Sequence, residues 1–180
     1  MATEAASQDV VLREIRPDDA CSGLSLGDEK FTPLKTFLRR SARRYDAECL
    51  AKTYVFVTTG EGGKEKIVAY ISLNCSVIEV DAEQPQVEDY SYEDLPAVKI
   101  ARLAVDQRFQ RRDLGTDLVS MAIALTKGEI MPRVGCRFLI VDSKQDSVKF
   151  YEKRGFRMLD TPANKASDNP VMFLDLWKLT

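Results

Sequence analysis

The chain has 180 residues, 44% hydrophobic and 30% charged, with a net charge of −2. That length suits one domain with a core of its own, and the slight acidic excess leaves any polyanion contact to a local basic patch. No run of about 18 apolar residues occurs, which argues against a membrane helix, and the start Met1-Ala2-Thr3-Glu4 has neither the cations nor the apolar stretch of a signal peptide.

The cytoplasm is therefore the expected compartment. Cys21, Cys49, Cys75 and Cys136 are scattered with no C-x-x-C pair, so free thiols are expected. Cys75 and Cys136 lie in apolar runs and read as core residues. There is no histidine. That removes Ser–His and Cys–His catalysis and the commonest transition-metal ligand, so no metal site is expected. Proton transfer falls to Tyr, Asp, Glu, Lys, Cys or water.

In chain order, residues 1–9 read as a flexible start and residues 10–15 as a first strand, ended by Arg16-Pro17-Asp18-Asp19. The spacing of Leu34, Phe37, Leu38, Ala42, Tyr45 and Cys49 predicts one helix over 33–50, with Thr32 as N-cap and Pro33 at its first position. Residues 52–59 and 66–80 are β-branched and aromatic, and the turn Gly60-Glu61-Gly62-Gly63 makes them an antiparallel hairpin. Residues 81–96 are acidic with two prolines and read as a surface loop.

A strand over 98–105 then runs through a polar, basic turn into a helix with the buried stripe Leu114, Leu118, Met121, Ala122 and Leu125. Residues 136–141 form a continuous apolar strand. Residues 147–154 read as a short helix stopped by Gly155, residues 157–160 begin a strand, 161–170 form a polar loop and 171–179 close the sheet. The fold class is α/β: a mixed sheet with helices on both faces, over residues 1–180 as one domain.

The strand–turn–helix over 101–119 carries the chemistry. First-turn amides of a helix lack intrahelical partners and the macrodipole adds positive charge there, so a strand feeding a helix start makes an anion site. Arg111 and Arg112 sit in the turn and Arg108 lies just upstream. A phosphate-bearing ligand is the natural reading; the plain alternative is a corner with nothing bound.

With the strand–loop–helix of residues 138–156, this turn resembles the GNAT superfamily of acetyl-CoA-dependent N-acetyltransferases. The resemblance covers residues 10–179 and implies a single GNAT-type domain with a mixed, mostly antiparallel, twisted sheet. It implies that the strand edge at Leu103, Ala104 and Val105 pairs with the pantetheine of acetyl-CoA. It implies that Gln110, Arg111, Arg112, Asp113, Leu114, Gly115 and Thr116 cradle the pyrophosphate, with Ser147 and Phe150 as further cofactor contacts. Tyr151, in the Phe150-Tyr151-Glu152 pattern before Gly155-Phe156, matches the family's general acid. A tyrosine hydroxyl with a pKa near 10 is a reasonable donor to a leaving thiolate. The plain reading of Tyr151 is a packed ring with a surface hydroxyl.

Two positions depart from the family. Its pyrophosphate motif is Gln/Arg-x-x-Gly-x-Gly/Ala, and Asp113 replaces the first glycine. If that position needs φ > 0, aspartate costs about 1 kcal/mol more than glycine. Lys144 stands where many relatives have asparagine. The leading expectation is transfer of acetyl from acetyl-CoA to a primary amine of a small molecule or peptide. A narrower resemblance, in Leu34-Lys35-Thr36-Phe37-Leu38-Arg39-Arg40-Ser41-Ala42 and in residues 52–57, 69–73 and 101–106, is to the GNAT toxins of toxin–antitoxin pairs. It implies an aminoacyl-tRNA acceptor and a small DNA-binding antitoxin as partner, with Lys35, Arg39, Arg40, Arg43 and Arg44 as the basic face for phosphates. A weakly active or inactive CoA-binding module is the third reading, kept open by Asp113. An exposed last strand offers pairing with a second copy.

Overall fold

The computed structural model describes residues 9–79 and 94–179. The expected start over 1–9 lies outside them except for Asp9, as does the expected loop except for Asp94, Leu95 and Pro96, which are strand. Seven strands are β1 (Val10–Glu14), β2 (Lys52–Thr59), β3 (Glu65–Glu79), β4 (Asp94–Val105), β5 (Phe138–Asp142), β6 (Arg157–Met158) and β7 (Val171–Asp175). Their order in the sheet is β1-β2-β3-β4-β5-β7-β6. β4 and β5 are parallel, whereas β1–β2, β5–β7 and β6–β7 are antiparallel. The sheet is mixed and mostly antiparallel, flanked by helices, as the sequence implies. β7 is not an edge: β5 takes one side and β6 the other.

The chain divides into two compact units, one of Met1–Ser72 with Arg102–Leu118 and one of Leu73–Ala101 with Val119–Thr180. In the first, helices α1 (Thr32–Arg40) and α2 (Ala42–Ala47) replace the single expected helix. Ser41 leaves helical geometry at φ −123°, ψ −32°, although its N–H still donates to Phe37 O at 2.8 Å and its carbonyl accepts from Tyr45 N at 2.8 Å. The N-cap is Phe31, with no side-chain bond, so Thr32 is the first helical residue rather than the cap. α2 ends with Cys49 at φ 56°, where Leu50 N–H bonds Tyr45 O and Cys49 N–H bonds Asp46 O. This is a Schellman ending in which cysteine occupies the place usually given to glycine.

Phe37, Leu38 and Ala42 face a core of Ile15, Leu24, Leu26, Val55, Val57, Ile67, Tyr70 and Ala104. Burying Phe37 or Leu38 is worth about 1.5–3 kcal/mol each. Tyr70 keeps its hydroxyl satisfied by donating to Leu34 O at 2.8 Å, which pins α1 to β3.

In the second unit, Ile78, Leu95, Ala97, Phe138, Ile140 and Phe173 form the core. Phe138, Leu139, Ile140 and Val141 are all buried, as a strand covered on both faces requires. Cys136 is buried but Cys75 is exposed, contrary to its apolar surroundings in sequence. Beyond Leu73 strand β3 alternates, which turns Cys75 and Val77 outward while Ile78 points in.

Helix α3 (Leu114–Leu125) buries Leu114, Leu118, Val119 and Ala122, with Met121 and Leu125 only half-buried, and continues as a π turn over Thr126–Ile130. Helix α4 (Val148–Glu152) follows a short 3-10 turn and is stopped by Gly155 at φ 85°. The expected polar loop after β6 contains helix α5 (Pro162–Lys165), capped by the Thr161 hydroxyl at Asn164 N. The end of the chain is shorter as strand than expected, because Leu176–Lys178 turn into a 3-10 helix.

Candidate active site

The partners of β4 on β5 run from Ala97↔Phe138 to Ile100↔Val141. Leu103, Ala104 and Val105 lie beyond that register, at the end of the strand. Ala104 is buried, while Leu103 and Val105 are half-buried.

Asp106 follows and is wholly buried. Its carboxylate accepts from Ser25 N at 2.8 Å, from Arg108 N at 2.9 Å, and from Arg108 Nε and Nη2 at 2.8 and 2.6 Å. Burial pushes the carboxyl up, but these bonds and the guanidinium charge outweigh it and hold its pKa below the usual range. Arg108 Nη2 also donates to Gly23 O at 3.1 Å, and Gln107 N–H donates to Ser25 O at 2.7 Å. The carboxylate thus straps the segment around Gly23 and Ser25 to the end of β4. Sequence reading missed this clasp, and placed Arg108 with the turn cations when it is in fact engaged by Asp106.

The turn itself is built on two left-handed residues, Arg111 at φ 72° and Asp113 at φ 55°. The condition set for Asp113 is therefore met: this is a position that glycine fits better. Gln110, Arg111, Arg112 and Asp113 are all exposed. Arg111 has no partner among the described residues, and Arg112 lies over the Phe109 ring at 4.9 Å. The helical ladder of α3 begins with Asp117 N–H to Asp113 O at 3.0 Å, so the amides of Leu114, Gly115 and Thr116 precede it. Two exposed guanidiniums at the start of a 12-residue helix suit a pyrophosphate. The exposed Asp113 carboxylate is the one adverse charge in the turn.

Tyr151 sits in α4 with its ring buried, edge-on to Phe150 at 5.0 Å and Phe156 at 5.4 Å. Arg154 stacks on Phe150 at 3.6 Å. The Tyr151 hydroxyl has no hydrogen-bond partner among the described residues. Burial pushes its pKa well above that of a free tyrosine, and the charge of Arg154 offsets only part of that. Phe150, Ser147 and Lys144 are half-buried.

The basic face differs in its parts. Lys35, Arg39 and Arg40 are exposed on α1 with no partner among the described residues. Arg43 instead donates to Pro17 O at 3.0 Å, and Arg44 lies over the Tyr45 ring at 5.4 Å. Lys35 and Arg39, one turn apart, line a cavity of about 470 Å³ together with Thr36, Ser22, Gly23 and Ser25. No cluster of metal-ligating side chains occurs among the described residues, nor any helix long and apolar enough to cross a membrane.

A profile of the acetyltransferase (GNAT) domain matches residues 26–167, and the chain belongs to that family of acetyltransferases. The fold is similar to a tyrosine-to-phenylalanine variant of KacT, with a TM-score of 0.77 and 22% identity over 94% of this chain and 96% of that one. It is similar to a variant of the toxin AtaT bound to the C-terminus of the antitoxin AtaR and acetyl-CoA, with a TM-score of 0.73 and 19% identity over 94% of each chain. AtaT complexed with acetyl-methionyl-tRNAfMet matches with a TM-score of 0.74 and 20% identity, over 93% of this chain and 95% of that one. Comparison with curated protein sequences gives no match.

Proposed function

We propose that this acetyltransferase moves the acetyl group of acetyl-CoA to the amino group of an aminoacyl-tRNA, and that it is the toxin of a toxin–antitoxin pair, held in check by a partner antitoxin. The observation that carries the acceptor is the exposed, unpaired row Lys35, Arg39 and Arg40 beside the cavity on α1. Such a row in a chain of net charge −2 is the local patch that a polyanion needs. The similar solved structures include a toxin with acetyl-CoA and antitoxin and one with an acetylated aminoacyl-tRNA. They favour this reading over the small amine or peptide that the sequence alone put first.

Acetyl-CoA supplies an activated acyl thioester. In the proposed arrangement, the turn from Gln110 to Thr116 binds its pyrophosphate through helix-start amides, Arg111 and Arg112. The strand end Leu103, Ala104 and Val105 orients the pantetheine, and Ser147 and Phe150 complete the contacts. The acceptor nitrogen forms the new N–C bond as the C–S bond breaks. The amine loses a proton to solvent, and the departing sulfur takes one from the Tyr151 hydroxyl, which solvent restores. A buried phenol with a raised pKa stays protonated at every working pH, so the donor is always loaded.

The test offers the protein acetyl-CoA with charged tRNA, with peptides and with small amines, each read by mass spectrometry. N-acetylaminoacyl-tRNA as the preferred product is expected. Turnover of small amines or peptides with charged tRNA left unmodified would overturn the acceptor while leaving the family activity intact.

A further inference from the structure

A second cavity, of about 870 Å³, opens between the β2–β3 hairpin and the turn after β4. Its lining includes Thr58, Lys64, Lys66, Arg108, Phe109 and Arg112. Asp18, Asp19 and Glu65 line the cavity too, and Arg108 is held by Asp106. Asp19 and Glu65 are both engaged by Arg13 Nη2, at 2.7 and 2.6 Å, and only Asp18 has no ion-pair partner among the described residues. Lys64, Lys66 and Arg112 likewise have no ion-pair partner among the described residues.

Ser22 and Gly23 line this cavity and also the one that holds Lys35 and Arg39. A side chain added at Gly23 would meet nothing within 4 Å. The cations of α1 and of the hairpin thus border two cavities that meet at Ser22 and Gly23. Cations spaced along two adjoining cavities suit an extended phosphate backbone better than a compact anion.

We propose that the hairpin cavity carries the acceptor RNA onward from α1, with Lys64 and Lys66 on backbone phosphates. This rests on the aminoacyl-tRNA reading and adds the path of the RNA strand. The competing occupant of the same chemistry is a phosphate of the cofactor.

The experiment titrates wild type and Lys64→Glu/Lys66→Glu with an uncharged hairpin RNA ending in single-stranded CCA, and separately with acetyl-CoA. Both lysines are exposed, so the double variant should fold, and an unchanged melting temperature checks that it has. The expected result is RNA affinity lowered about 10-fold or more in the double variant, with the slope of log K against log salt reduced by about 0.7 for each phosphate no longer neutralised. RNA affinity equal to wild type in the double variant overturns the path while leaving the acceptor class standing. Weakened acetyl-CoA binding with RNA binding intact gives the cavity to the cofactor instead. A wild type that does not bind the RNA at all removes the path together with the reading beneath it.

Discussion

Arg108 folds back two residues onto the buried carboxylate of Asp106, with Nε on Oδ1 at 2.8 Å and Nη2 on Oδ2 at 2.6 Å. The pair takes out of the turn the cation that lies closest to the strand end. The charge available to a phosphate there belongs to Arg111 and Arg112. The same carboxylate holds Ser25, so the segment lining the α1 cavity and the end of β4 are fixed by one group.

That group makes stability depend on acid. Burial raises the carboxyls of Asp106, Asp19 and Asp175, but bonds and charge from Arg108, Arg13 and Arg137 overcome it, so all three sit below the usual range when folded. A depressed folded pKa contributes stability that is complete above the unfolded value near 4 and is lost as pH falls through the folded one. Thermal melts should therefore hold steady from neutral pH to about 5 and fall steeply below about 4. Asp106→Asn should cost about 1–3 kcal/mol at pH 7. Its gap from wild type should narrow as pH falls below about 4, where the unfolded chain's carboxyl takes up a proton that the folded one still resists. A gap independent of pH would mean that the carboxylate charge contributes nothing.

Asp113 stands at φ 55° in the turn proposed for the pyrophosphate. Asp113→Gly should relieve about 0.5–1 kcal/mol of backbone strain, a rise in melting temperature of roughly 1–4 °C for a chain of this size. If the carboxylate faces the phosphates, acetyl-CoA should also bind more tightly, as isothermal titration would show. Arg111→Gly gives the contrast: φ 72° is relieved in the same way, but a cation is removed, so stability should rise while acetyl-CoA binding weakens.

What could be read from the residues follows the range of the forces involved. β2 was legible to the residue, because Lys52–Thr59 is a β-branched run and strand propensity is local. The turn and its left-handed Asp113 were legible too, since a strand, a polar turn and a helix start are adjacent in sequence. The break at Ser41 was not, because Leu34, Phe37, Leu38, Ala42 and Tyr45 keep helical spacing across it and the bonds to Phe37 and Tyr45 preserve the ladder. Cys75 deceived because a run of apolar letters does not say which face a strand shows. The clasp of Asp106 on Ser25 spans 81 positions and leaves no local pattern. Its only trace is an aspartate two before an arginine at a strand end.

The role proposed for Tyr151 separates from its packing. The ring makes edge contacts with Phe150 and Phe156, and Tyr151→Phe keeps both. The hydroxyl has no partner among the described residues, so its removal should leave the melting temperature within about 2 °C of wild type. The acetyl-transfer rate should fall about 10²-fold or more, with acetyl-CoA affinity unchanged. Near-normal kcat in this folded variant would take the proton donor away from Tyr151.

The basic face yields the sharpest separation between acceptors, because its five cations are not equivalent. Arg43 is tied to Pro17 O and Arg44 lies on Tyr45, so reversing them disturbs the fold as well as the charge. Arg39 and Arg40 are exposed and unpaired. Arg39→Glu/Arg40→Glu should therefore fold as wild type does and bind acetyl-CoA equally well. With an aminoacyl-tRNA acceptor, KM for the acceptor should rise about 10-fold or more, and the salt dependence of binding should flatten by about 0.7–0.9 for each phosphate left without its arginine. A small uncharged amine would show neither change. The same variant decides the matter in bacterial cells. Overproduced wild type should arrest growth, and both this variant and Tyr151→Phe should relieve the arrest. If the folded, acetyl-CoA-binding wild type leaves growth untouched, the toxin reading fails; if the arginine variant arrests growth as strongly as wild type, the acceptor does not reach the enzyme across α1.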